Sequence, residues 1–112
     1  MKLMSRELLN DMPAECGLIE RVTDAGRRHF GSLDLIERRA VERSFEIIGE
    51  AVSRLARSEP DLAAEITGGR QIIGFRNEIA HGYDTIDDNR VDSVIKQHLA
   101  RLREDVAALL MD

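Results

Sequence analysis

"VERSFEIIGEAVSRL", residues 41 to 55, decides how the chain is read. Val41, Phe45, Ile48, Val52 and Leu55 recur at spacings of three and four, and charged residues fill the positions between them. That is the pattern of an amphipathic helix with one buried stripe; a strand would alternate every second residue. The helix has a start signal in "GSLDLIE", where Asp34 as N-cap and Glu37 three residues later form a capping box. It runs to about Arg57, long enough at the standard rise to reach about 36 Å and act as the spine of the domain. Gly49 lies inside it and costs about 1 kcal/mol relative to alanine unless a close helix contact offsets that. The glycine therefore predicts a crossing point.

The same period extends both ways. From Ser5, the residues Leu8, Leu9, Met12, Cys16, Ile19 and Val22 mark a first buried stripe, with Gly26 as the expected C-terminal stop. Pro13 removes a backbone donor within it and predicts a kink or a fresh helix start. Beyond the spine, "SEPDL" breaks the pattern, and a short helical turn is expected over 61–66, closing at Gly68-Gly69. A third main helix follows from about Arg70 to Ala80 or His81, with Ile72, Phe75 and Ile79 buried. Asp87 or Asp88 caps a last helix whose stripe is Val91, Val94 or Ile95, His98, Leu99, Leu102, Val106 and Leu109 or Leu110. The prediction is an all-α, up-and-down bundle of four main helices plus a short helical turn, forming one domain over residues 1 to 112.

Composition narrows the function classes. The longest apolar runs, such as "ALLM", are far below the roughly 20 residues that span a bilayer. The opening "MKLMSRELLNDMPAE" has no apolar stretch of the roughly 7 to 15 residues found in a signal peptide, so a cytoplasmic protein is expected. Cys16 is the single cysteine, which excludes an internal disulfide or a cysteine-rich zinc site and reads as a small core residue. A net charge of −5 argues against strong, sequence-indifferent binding to nucleic acid. With no Trp and one Tyr there is no aromatic platform for several bases. Arg27, Arg28, Arg38, Arg39 and Arg43 are interleaved with acids, and read either as a salt-bridged helix face or as part of a phosphate-tracking surface.

"RNEIAHGY", residues 76 to 83, concentrates the reactive side chains. On an ideal helix Asn77 and His81 are i, i+4 neighbours, so the amide has the reach to fix the imidazole tautomer. Arg76 and His81 stand about 7.5 Å apart along the axis and diverge by about 140°. One helix struggles to bring both onto a single phosphate. Either the chain turns at Gly82, or the same helix of a second copy supplies the missing group across a twofold axis. Two histidines and two arginines around one cleft suit metal-independent RNA cleavage. One imidazole takes the proton of a 2′-hydroxyl, a second protonates the leaving 5′-oxygen, and arginine stabilises the phosphoryl oxygens. The alternative is an ordinary polar helix face.

The other polar residues each have a structural reading as well. Glu50 reads either as an ion-pair partner for Arg76 or another basic group across an interface, or as plain surface. His29 reads as a loop residue and His98 as a core or interface histidine. Asp84, Asp87 and Asp88 read as helix caps before they read as a cation site. "TGGRQ" lacks the spacing of a phosphate-binding loop.

The spacing from Arg76 to His81 to Tyr83 resembles the RX4HXY motif of HepT-like toxins in the HEPN superfamily. The run Ile48 to Ala51 resembles that family's second helix, and the likeness extends from about Leu33 to Leu110. The resemblance implies a bundle that dimerises through its motif-bearing helices. It implies a ribonuclease toxin in which Arg76 and His81 carry the chemistry, supported by Asn77. It also implies a partner, a minimal nucleotidyltransferase antitoxin called MntA, which transfers AMP to the motif tyrosine, here Tyr83. The alternative for Tyr83 is packing, and for the protein a non-catalytic helical subunit that dimerises and holds the nucleotidyltransferase.

Overall fold

Helix α2 (Leu35–Ser58) is the spine, and the other elements pack along it. A computed structural model of the chain describes residues 1–82 and 86–111. The helix starts as expected: the Asp34 carboxylate accepts from the Glu37 backbone N–H at 2.8 Å, and the Glu37 carboxylate accepts from the Asp34 N–H at 3.0 Å. Its whole stripe, Val41, Phe45, Ile48, Val52 and Leu55, is buried.

Helix α1 (Leu3–Thr23) packs against α2, with Leu8, Leu9, Met12, Cys16 and Ile19 in the shared core. It passes through Pro13 as one element, which corrects the expected fresh start. Burial of the stripe on both sides of Pro13 outweighs the one backbone donor lost there. Gly26 is not the stop either. The helix ends at Thr23, and Asp24, Ala25 and Gly26 all take left-handed backbone angles, with φ of 50°, 54° and 84°. Two of the three carry a Cβ, so the turn is strained by about 1–2 kcal/mol at each. It is held by the Thr23 hydroxyl, which donates to the Ile19 carbonyl at 2.7 Å and accepts from the Gly26 N–H at 3.2 Å. Burial pushes the Cys16 thiol up to about 11, as a core position should.

A single 3-10 turn (Phe30–Ser32) leads into α2, and a short α3 (Pro60–Ala63) follows it, four residues long rather than six, with Pro60 in its first turn. Helix α4 (Gly69–Gly82) returns along α2 and buries Ile72, Phe75 and Ile79. The last main helix is built from α5 (Asp88–Val94), a π-helical segment (Ile95–Leu99) and α6 (Ala100–Leu110) in unbroken succession. Asp87 is its cap, accepting from the Asn89 N–H at 2.9 Å. Both Val94 and Ile95 are buried. His98 departs from the expected core stripe: it is half-buried, and its ring lies on the backbone of Gly68, where an added Cβ would stand 2.7 Å from Nδ1. Gly68, at φ +75°, is the residue that leaves room for it.

The architecture is all-α with four main helices, and among the described residues there is no strand. No helix among them is long and apolar enough to cross a membrane. The arginine-rich first half resolves into ion pairs: Arg27 with Asp24, Arg28 with Glu37, Arg38 with Asp88, Arg39 with Glu42 and Arg43 with Glu46. These pairs fit the reading of a salt-bridged helix face.

Candidate active site

The site begins with the way α4 is pressed onto α2. Phe75 sits edge-on against Phe45, with ring centroids 5.0 Å apart and an interplanar angle of 89°. One turn along the contact, Gly49 faces Arg76. A Cβ built on Gly49 would stand 2.3 Å from the Cβ and 2.7 Å from the Cγ of Arg76. The glycine is therefore the crossing point that its position inside the spine predicted. The side chain that occupies the notch is the arginine of "RNEIAHGY".

Packing against Gly49 restricts where the Arg76 guanidinium points. Its Nη2 donates to Glu50 Oε2 at 2.7 Å, and the Arg76 side chain is only 23 % exposed. The other oxygen of the same carboxylate, Oε1, faces Arg57 Nη2 at 3.8 Å. Arg76 Nε is buried without a hydrogen-bond partner among the described residues. A buried donor left this way costs on the order of 1–3 kcal/mol. The pairing of Glu50 with Arg76 is made within one chain. The reason is local: Glu50 follows Gly49, so the residue that receives the arginine stem is adjacent to the one that receives its charge.

Asn77 and His81 face outward. Both are exposed on α4, one turn apart, and among the described residues neither side chain has a hydrogen-bond partner. Arg76 and His81 lie five residues apart within one continuous helix, so they retain the divergence of about 140°. The chain does not turn between them; α4 continues to Gly82. Tyr83 and Asp84 lie outside the described residues. The opposite flank of α4 is closed by Arg90, which pairs with Glu78 at 3.3 Å and lies 5.7 Å above the Phe75 ring.

The model of the Ribonuclease HepT-like family matches residues 12–109. The chain belongs to the HepT-like ribonuclease family. The match runs from the middle of α1 to the end of α6 and so includes the whole α2–α4 contact. No solved structure matches this HepT-like chain.

The remaining candidates of the HepT-like fold fall away from this contact. His29 forms a close pair with Asp92, whose other oxygen accepts from the Phe30 N–H at 2.8 Å, so it ties the 3-10 turn to α5. Asp88 is taken up by Arg38 at 3.1 Å. Among the described residues no three His, Cys, Asp or Glu side chains are grouped as metal ligands would be. A groove of about 1000 Å³ lies elsewhere, lined by Pro13, Gly17, Leu18, Arg21 and Arg103 among others, and contains no motif residue. Two residues near the site were missed by sequence reasoning. Arg57 was detectable as the residue two turns after Glu50, on the same face. Gly74 was detectable as a glycine inside the expected third helix; in the structure nothing lies within 4 Å of the place its side chain would begin.

Proposed function

We propose that this HepT-like protein, as one domain, is a homodimeric, metal-independent endoribonuclease, the toxin of a toxin–antitoxin pair. The observation that carries the reading is the seating of Arg76. Gly49 and Glu50 hold its guanidinium at the surface of the helix that exposes His81. A second copy repairs the divergence of the two residues. With two α4 helices facing across a twofold axis, the His81 of one copy takes the 2′-hydroxyl proton as the 2′-oxygen attacks phosphorus. The His81 of the other copy, protonated, delivers its proton to the departing 5′-oxygen, leaving a 2′,3′-cyclic phosphate and a 5′-hydroxyl. Arg76 stabilises the charge on the phosphoryl oxygens. Asn77, one turn before His81, supports the imidazole.

Gly74 supports the dimer. An exposed glycine inside a helix costs about 1 kcal/mol, and in the single chain no contact offsets it. The close approach of a second α4 offsets it. The decisive experiment uses the protein freed of any partner. RNA is cleaved in the presence of EDTA, and Arg76→Ala and His81→Ala each lower the rate by about 100-fold or more. Unchanged cleavage in both variants overturns the reading.

Tyr83 is the proposed point of control. A minimal nucleotidyltransferase antitoxin transfers AMP from ATP to its hydroxyl with release of pyrophosphate, adding phosphodiester charge two residues after His81 in the sequence and excluding RNA. Incubation with such an enzyme and ATP adds mass in AMP-sized steps to the wild type and none to Tyr83→Phe; equal labelling of both excludes Tyr83 as the acceptor. A second reading, a non-catalytic subunit that dimerises and holds the nucleotidyltransferase, is favoured by the pairing of Arg76 with Glu50, which already neutralises the arginine. It predicts no cleavage in the first experiment.

A further inference from the structure

Glu50 has two arginines, not one. Arg76 approaches one carboxylate oxygen from α4 at 2.7 Å, and Arg57 approaches the other from the last turn of α2 at 3.8 Å. Two guanidinium groups share a single carboxylate, so this cluster of three keeps one net positive charge on a protein whose total is −5. Arg57 lies in the last turn of α2, and its side chain runs back along the helix, the direction in which helical side chains lean. Its Nη1 donates to Ser53 Oγ at 3.2 Å, one turn back, and its Nη2 faces Glu50, two turns back. The side chain is thus laid along α2 toward Arg76, while staying 67 % exposed. An exposed pair at this distance contributes almost nothing to folding. The arrangement leaves a guanidinium beside Arg76, open to solvent and loosely held.

We infer that Arg57 is a second phosphate-binding residue of the site, gripping the RNA backbone at a phosphate next to the one held by Arg76. The inference rests on the ribonuclease reading above. Contact with the backbone reads charge and not base identity, so Arg57 adds affinity without sequence preference. It also explains how an acidic protein engages a polyanion: the surplus positive charge is concentrated where the reacting phosphate must sit. Arg57 exchanges its contact with Glu50 for the arriving phosphate, and Glu50 continues to orient Arg76.

The test uses the dimeric full chain carrying His81→Ala, which binds without cutting, and a fluorescent single-stranded oligouridylate over a range of salt concentrations. Arg57→Gln in that background weakens binding several-fold. It also lowers the slope of log affinity against log salt by about 0.7 for each of the two Arg57 side chains that grips a phosphate on the single strand. Arg57→Lys keeps the slope, because the charge is retained. Arg21→Gln, in the groove on α1, leaves slope and affinity as they were, and thermal unfolding of Arg57→Gln matches its parent. An unchanged slope in Arg57→Gln, with oligouridylate still bound, overturns this inference and leaves the ribonuclease reading standing. Failure of the His81→Ala protein to bind oligouridylate at all overturns both.

Discussion

Gly49 governs Arg76 at the scale of single residues. A methyl group at position 49 would overlap the Arg76 stem at 2.3 Å, and the nearest atom is the Arg76 Cβ, which moves only with the α4 backbone. Gly49→Ala is therefore expected to destabilise the fold by about 1–3 kcal/mol through overpacking, offset by about 1 kcal/mol of helix propensity. It also displaces the guanidinium from Glu50 and lowers RNA cleavage. Denaturant unfolding and a cleavage assay on the same preparation check both effects; wild-type values in both would refute the role of the notch. The sequence showed that something had to cross at Gly49, because an interior helix glycine has a cost that needs an explanation. It did not show that the crossing group was Arg76, since the register of two helices depends on how both stripes pack.

Among the elements, the entry to α2 combines three interactions on Glu37. Its carboxylate closes the capping box on the Asp34 N–H and takes both Arg28 Nη atoms, at 2.7 and 3.1 Å. The Arg28 guanidinium first, and then the Asp34 backbone N–H, hold the Glu37 carboxyl below its ordinary 4.5. Because the folded-state value is depressed, the stability it contributes is complete above about pH 4.5 and disappears as pH falls through that lower value. The stability gap between wild type and Glu37→Gln should therefore shrink on acidification below pH 4.5. Chemical denaturation at a series of pH values measures it, and a gap that stays constant down to pH 2 would contradict the linkage. The capping box was legible in "GSLDLIE" because both partners are local. The Arg28 pair was not, since it depends on the left-handed turn at Asp24, Ala25 and Gly26 folding the chain back.

For the whole molecule, the open question is what covers the exposed face of α4. Gly74, Asn77 and His81 stand along it, and Gly74 meets nothing within 4 Å. Gly74→Gln replaces a poor helix former with a good one at an open position. The single chain should therefore be stabilised by up to about 1 kcal/mol, whereas a dimer joined at α4 should be lost to steric conflict. Sedimentation equilibrium distinguishes the outcomes: a variant that sediments as monomer and no longer cleaves RNA supports the twofold site. A variant that stays dimeric and active places the interface elsewhere.

Sequence alone determined the four main helices, most of their buried stripes and the capping box, because these depend on contacts within a few turns of one chain segment. It also singled out Arg76, Asn77, His81 and Tyr83, through their spacing on one helix and a likeness to HepT-like toxins. Tertiary structure decided what that spacing could not. It set Arg76 into the Gly49 notch, bound it to Glu50 of its own chain, and laid Arg57 against the same carboxylate. It also kept Pro13 inside an unbroken helix and moved His98 off the core stripe onto Gly68. These outcomes turn on the packing of one helix against another and on residues far apart in the chain, where a shift of a single turn changes which side chains meet.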